Sequence, residues 1–214
     1  MGQVFRVDQK QPSDEVVNHA ASVLRAGGIV LLPTDTVYGL CTVLSDRVVT
    51  GAQELFDIKR RDTGISIPLL VAKPTDLYVA GRDIPAYATK LAEHFWPGPL
   101  TIVVKAAERV KPEFRKKEDD SIALRCADSE LIHKMILAAG GPLFATSANT
   151  HQLPAPARFE DVEPRIIEAA DCVLDGGDCV EGISSTIVIC TGDEPHVTRE
   201  GSITEAQIKE ALAV

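Results

Sequence analysis

The run Lys59-Arg60-Arg61 sets three cations side by side, after a helix-like pattern and ahead of the apolar stretch "IPLLVA", in a chain whose formal net charge is -9. Other polar groups gather at the ends of apolar stretches. Thr34, Asp35 and Thr36 follow "VLLP", Ser121 and Arg125 bracket "IAL", and Thr146, Ser147 and Asn149 close "PLFATSAN". Ser184, Ser185 and Thr186 open "SSTIVIC", and Arg199 ends "HVTR". Hydroxyls, an amide and cations suit the holding of phosphates and a small polar substrate. The spacing supplies no Ser-His-Asp set, no paired carboxylates and no metal cluster. Simpler readings stand beside these. Cations at a helix end complement its dipole, and "TSAN" or "TDT" can be plain turns. Arg125 is harder to explain away, because a guanidinium in an apolar strand needs a partner.

The elements that must position these groups alternate between helical and strand periods. Ser13 caps a helix with Val16, Val17, Ala20, Ala21, Val23 and Leu24 inward and Gly27-Gly28 at its end; "GIVLLP" follows as a strand. A second helix is expected from Asp46 to near Ile58, carrying the cations on its last turn, and "IPLLVA" is a strand. An amphipathic segment after Pro85 stops at Pro97-Gly98-Pro99, beside Trp96 as a core anchor, and "LTIVVK" resumes as a strand. Ala106 to Asp120 reads as a solvated loop or short helix. Then come strand "SIALRC", a helix from Asp128 to Ala139 capped by Asp128 and closed by Gly140-Gly141, strand "PLFAT", and a helix over "ARFEDVEPRIIEAA" interrupted by Pro164. Strands "DCVLD", "SSTIVIC" and "HVTREG" and a helix from Thr204 to Ala213 complete the chain. The alternation predicts an α/β fold, a twisted mixed or largely parallel sheet flanked by helices, in a single domain over residues 1–214. Ligands of such sheets sit beyond the carboxyl ends of the strands.

The acidic balance argues against broad electrostatic attraction to nucleic acid or anionic membrane, so phosphate binding must be local. The five cysteines, Cys41, Cys126, Cys172, Cys179 and Cys190, lack any metal spacing and read as reduced, buried thiols of a cytoplasmic protein. No apolar run has the length of a signal peptide core or a membrane span.

Taken together, the segments resemble the threonylcarbamoyl-AMP synthases, the YrdC or TsaC family, over about Gly28 to Ile203. "PTDTVYGL" resembles the opening strand and turn, "KRR" the K-x-R element, and "WPGPLTIVV" the Pro-Gly-Pro strand. "SIALR" resembles the arginine strand, "SAN" the S-x-N element, "SSTIV" the serine strand and "REGSI" the closing arginine. Each is weak alone; their order along one chain is specific. The resemblance implies a YrdC-like fold with a central cavity and a nucleotidyltransferase that joins L-threonine, bicarbonate or CO2 and ATP into threonylcarbamoyl-AMP, releasing pyrophosphate, for the N6-threonylcarbamoyladenosine modification of tRNA. It implies that Lys59 and Arg61 are catalytic and bind ATP with Thr63, Ser121, Ser147, Asn149 and Arg199. Thr36, Arg125, Ala145 and Ser185 would hold L-threonine. Mg2+ would arrive on the ATP phosphates with no dedicated protein metal site, and tRNA or downstream threonylcarbamoyl-transfer proteins would be partners.

Several positions depart from the family pattern. Asp62 and Ile65 stand where proline and a further basic residue often follow K-x-R, Thr150-His151-Gln152 replaces a Ser-Gly turn after "SAN", and "LRCA" lacks a following proline. The chain reads as the short form, ending at Val214. The alternative is a YrdC-like paralogue that binds RNA or nucleotide without synthase activity.

Overall fold

The structure, a computed structural model, describes residues 2–43, 55, 57–59, 67–110 and 112–213. The expected helix from Asp46 falls largely outside these residues, but residues 57–59 at its end are helical. In chain order the elements are β1 (Gln3–Arg6), α1 (Asp14–Arg25), β2 (Val30–Pro33), β3 (Tyr38–Val43), β4 (Leu69–Leu70), α2 (Leu77–Ala80), β5 (Gly81–Arg82) and α3 (Ala86–Phe95). There follow β6 (Leu100–Ala106), β7 (Ser121–Arg125), α4 (Glu130–Ala139), β8 (Leu143–Ser147), α5 (Pro164–Ala169), β9 (Cys172–Asp175), β10 (Thr186–Ile189), β11 (His196–Arg199) and α6 (Glu205–Ala213). They fall into two compact units: Met1–Thr63 with Ser129–Ile183, and Gly64–Asp128 with Ser184–Val214.

The first unit is built on the strand order β1-β9-β2-β3-β8. β1, β9 and β2 run parallel, whereas β3 is antiparallel to both β2 and β8. Helix α1 forms where its sequence says it should. The Ser13 side chain accepts the Val16 amide, and Gly27 leaves the helix at a φ of 94°, a conformation that costs glycine little. Val17, Ala20, Ala21 and Leu24 are buried along one stripe, and α1 packs on α4. Burying a leucine such as Leu24 stabilises by about 1.5–3 kcal/mol. Helix α4 is capped by Ser129, whose side chain accepts the Ile132 amide, and not by Asp128; it closes on left-handed Gly140. Pro164 does not interrupt a long helix. A 3-10 turn at Phe159–Asp161 precedes it, and the proline occupies the first turn of α5, where its missing N–H costs nothing.

In the second unit the order is β4-β7-β6-β10-β11, with β5 on β6. β7 runs parallel to β4 and antiparallel to β6; β10 is parallel to β6 and antiparallel to β11. α3 packs against α6, and Trp96 is buried with its indole N–H donating to the Leu100 carbonyl at 2.6 Å. The charged stretch after Ala106 is an ordered loop around a 3-10 turn at Pro112–Phe114. Arg115 donates to the carbonyls of Ala107, Glu108 and Val110 and to the Asp120 carboxylate. Each unit is thus a mixed sheet with helices, as expected from the alternation.

Candidate functional site

The first unit gathers its polar residues where β2 hands over to β3 and β8 ends. Thr34, Asp35 and Thr36 are buried there. The Thr34 hydroxyl accepts from the amides of Thr36 (3.1 Å) and Val37 (3.2 Å) and donates to the Val37 carbonyl (2.8 Å), so one short side chain ties three backbone groups of the turn together. Gly39 pairs with Ser147, and the Ala148 amide donates to the Tyr38 carbonyl at 2.8 Å. That register puts "TDT" and "SAN" at the same end of one sheet. Cys179 is buried nearby, and its burial pushes the thiol up to about 11 despite a bond with the Thr34 backbone.

Lys59, helical like residues 57 and 58, joins this group, and only 3% of it is exposed. Its ammonium donates to Ser147 O (2.5 Å), Asn149 O (2.9 Å) and Asn149 Oδ1 (2.9 Å), with Ser147 Oγ at 3.4 Å. Ser147 Oγ in turn donates to Asn149 Oδ1 at 2.6 Å, and the Asn149 amide side chain donates to Leu153 O at 2.5 Å. Residues separated by 88 to 90 positions in sequence therefore form one polar cluster. Ala145, two positions before Ser147, shares its face of β8.

In the second unit the decisive strand end belongs to β7. Arg125 is buried, and its Nε donates to the Gly98 carbonyl at 3.2 Å, while the Gly98 amide donates to Cys126 O at 2.8 Å. The Pro-Gly-Pro turn therefore cradles the arginine. β6 pairs Ile102 with Leu124, which brings Thr101 level with Arg125 on the same face. The hydroxyls of Thr101 and Ser185 lie 2.9 Å apart. Arg199 donates from Nε and Nη2 to Ser185 O (3.0 and 2.7 Å) and from Nη2 to Ser185 Oγ (3.1 Å). After Arg199 the chain turns so closely past Ser184 that a Cβ on Gly201 would lie 1.9 Å from the Ser184 carbonyl oxygen. Glycine is required there for close approach. Arg125, Ser185 and Arg199 thus stand at neighbouring strand ends, linked through Thr101.

The Sua5/YciO/YrdC family model, described as "Telomere recombination", matches residues 22–201. The chain belongs to this family. Threonylcarbamoyl-AMP synthase of Pyrococcus abyssi is 32% identical over 193 residues, covering 90% of this chain and 56% of that protein. A putative threonylcarbamoyl-AMP synthase of Mycobacterium tuberculosis is 30% identical over 210 residues, covering 97% and 93%. The structure of P. abyssi Sua5 complexed with L-threonine matches at a TM-score of 0.89 and 29% identity, over 98% of this chain and 60% of that one. Escherichia coli YciO matches in fold at a TM-score of 0.87 and 22% identity, over 97% and 99%. The chain spans 56% and 59% of the length of the P. abyssi and Bacillus subtilis relatives.

Among the residues expected from the Sua5/YciO/YrdC resemblance, Lys59, Ser147 and Asn149 meet directly, with Thr36 and Ala145 at the same sheet end. Ser121 is set apart. It shares the Arg125 face of β7 but starts the strand that Arg125 ends, roughly 13 Å away at the usual rise per residue. Its hydroxyl donates to Asp119 Oδ1 at 2.6 Å. Arg61 and Thr63, like Asp62 and Ile65, lie outside the described residues. Sequence reasoning missed Thr101, whose signal was a single hydroxyl inside "LTIVV", and the pair Glu163 and Arg165, which carried no signal beyond helix-forming composition. Among the described residues no His, Cys, Asp and Glu side chains cluster so as to hold a metal, and no helix is long and apolar enough to cross a membrane.

Proposed function

We propose that this chain makes threonylcarbamoyl-AMP from L-threonine, bicarbonate or CO2 and ATP, releasing pyrophosphate, and that it does so in the cytoplasm for tRNA modification. The observation that carries the reading is the meeting of Lys59 with Ser147 and Asn149. Two motifs far apart in sequence build one polar cluster with a cation at its centre, in a family whose P. abyssi member is named a threonylcarbamoyl-AMP synthase.

The threonine amine adds to CO2 and loses a proton, giving a carbamate. A carbamate oxygen then attacks the α-phosphorus, and the bond to the pyrophosphate oxygen breaks. Both nucleophiles belong to substrates, so the protein's task is positioning and charge stabilisation. Lys59 neutralises charge on the α-phosphate and the departing pyrophosphate, with Ser147, Asn149 and Arg199 as further nucleotide contacts. Arg61, Thr63 and Ser121 keep the ATP roles implied by the resemblance. Arg125 pairs with the threonine carboxylate, and Thr36, Ala145 and Ser185 keep the L-threonine roles implied by the resemblance. Mg2+ travels with the nucleotide as part of the substrate. The product passes to proteins that transfer threonylcarbamoyl to tRNA.

Incubating the purified chain with MgATP, bicarbonate and L-threonine and following pyrophosphate tests the reading. Release that requires threonine supports it. RNA binding without threonine-dependent release, unaffected by Lys59→Ala and Arg125→Ala, would replace it with a binding module.

A further inference from the structure

The loop after Asn149 departs from the family's usual Ser-Gly turn, and its first residue is the centre of a second polar network. The Glu163 carboxylate accepts the Thr150 amide at 2.8 Å and lies 2.8 and 2.9 Å from the Thr150 hydroxyl. Arg165 spreads its guanidinium over three partners. Nε donates to Glu163 Oε2 at 3.1 Å, Nη1 to the Ile58 carbonyl at 2.7 Å, and Nη2 to the Thr150 hydroxyl. The proton count is consistent: the hydroxyl donates to the carboxylate and accepts from the guanidinium.

Ile58 immediately precedes Lys59, and the next carbonyl, that of Lys59, accepts the His151 amide at 3.1 Å. Both peptide oxygens around Lys59 are therefore tied to residues 150–165, while its ammonium is tied to residues 147 and 149. A guanidinium is well suited to satisfy one carbonyl and reach a second acceptor in the same plane. Arg165 and Glu163 are each about a third exposed as side chains, so the network sits at the rim rather than in the core.

We infer that Arg165, oriented by Glu163 and Thr150, is a positioning residue that sets the backbone of Lys59 and hence the direction in which its ammonium meets the nucleotide phosphates. The inference rests on the reading that Lys59 faces ATP, and adds residues that touch neither substrate. A lysine at position 165 keeps the charge but not the planar fork, so it cannot hold both Ile58 O and Thr150 Oγ1. Geometry and charge can thus be separated.

The test measures the dissociation constant of MgATP by titration calorimetry, the Michaelis constants for ATP and threonine, and the unfolding midpoint, for the wild type, Arg165→Ala, Arg165→Lys and Thr150→Val. The expected result is MgATP binding weakened about tenfold in both Arg165 variants and by a smaller factor in Thr150→Val, with the threonine constant within about twofold. The midpoint should shift too little to account for the loss. Unchanged MgATP affinity in Arg165→Ala overturns the inference, as does a parallel rise in both Michaelis constants or full recovery in Arg165→Lys. A wild type that binds MgATP but releases no pyrophosphate would remove the synthase reading while leaving this comparison of affinities decisive.

Discussion

Replacing Lys59 with methionine separates what the ammonium does for the fold from what it does for the reaction. In the folded chain the ammonium makes three bonds of 2.9 Å or less, to Ser147 O, Asn149 O and Asn149 Oδ1. Asn149 Oδ1 keeps the Ser147 hydroxyl at 2.6 Å after the change and Ser147 O keeps the Asn149 amide at 3.0 Å, so the loss falls mainly on the Asn149 carbonyl oxygen. Removing that donor costs about 1–3 kcal/mol. Against this, removing a charge that is only 3% exposed returns a desolvation cost of several kcal/mol, and methionine fills most of the space. The opposing terms are of similar size, so the net change in stability should stay within about 2 kcal/mol, or a few degrees of unfolding midpoint. Catalysis has no such offset. Removing a preorganised donor from developing phosphate charge costs about a hundredfold to a thousandfold in rate. The assay is threonine-dependent pyrophosphate release at saturating substrates, alongside thermal unfolding of the same preparation. A Lys59→Met protein that unfolds near the wild-type temperature and works within about fivefold of its rate would refute the assignment of Lys59 to the phosphates.

Arg125→Ala should raise the threonine requirement by about tenfold to a hundredfold while changing the ATP requirement little; steady-state kinetics with each substrate varied in turn would expose an equal loss in both as a contradiction. In Gly201→Ala the new Cβ would press on the Ser184 carbonyl, displacing the backbone that follows Arg199, so the unfolding midpoint and ATP affinity should both fall, with stability down by about 1–3 kcal/mol. The backbone and hydroxyl bonds from Thr150, with help from Arg165, hold the Glu163 carboxyl below its ordinary value of 4.5. A carboxyl depressed in the folded state contributes stability that is present above its unfolded value and is lost as pH falls through the folded one. Unfolding of the wild type between about pH 5 and 3 should therefore steepen relative to Glu163→Gln; identical acid limbs for the two proteins would show that the contact is not maintained in solution.

Local chemistry was legible wherever a residue acts on its own neighbours. Ser13 at the start of α1, Gly27 and Gly140 at helix ends, and the apolar runs of β2, β6 and β7 are read correctly because caps and periodicities act within a few positions. The same locality explains the errors. Asp128 and Ser129 are both good caps, and only the path of the chain decides that Ser129 accepts the Ile132 amide. β1 went unnoticed because its exposed "QVFR" has little pattern, and it is a strand only because β9 offers it an edge. No strand is expected from the sequence over "YGLCTV", yet β2 and β8 both pair with it.

The types of residue in the site, and through family resemblance their identities, were in the sequence itself. Hydroxyls, an amide and cations at the ends of apolar runs cannot be there to fill a core, since burying them unpartnered is costly. Which of them meet was decided by tertiary structure. Lys59 meets Ser147 and Asn149 across 88 to 90 positions of sequence, and Ser121 is separated from Arg125 by the length of β7. Glu163, just before a short helix with no motif, and Arg165, on its first turn, join Lys59 through hydrogen bonds to Thr150 and to the Ile58 carbonyl. A backbone carbonyl has the same chemistry at every position, so nothing in the order of side chains says which one an arginine a hundred residues away will hold.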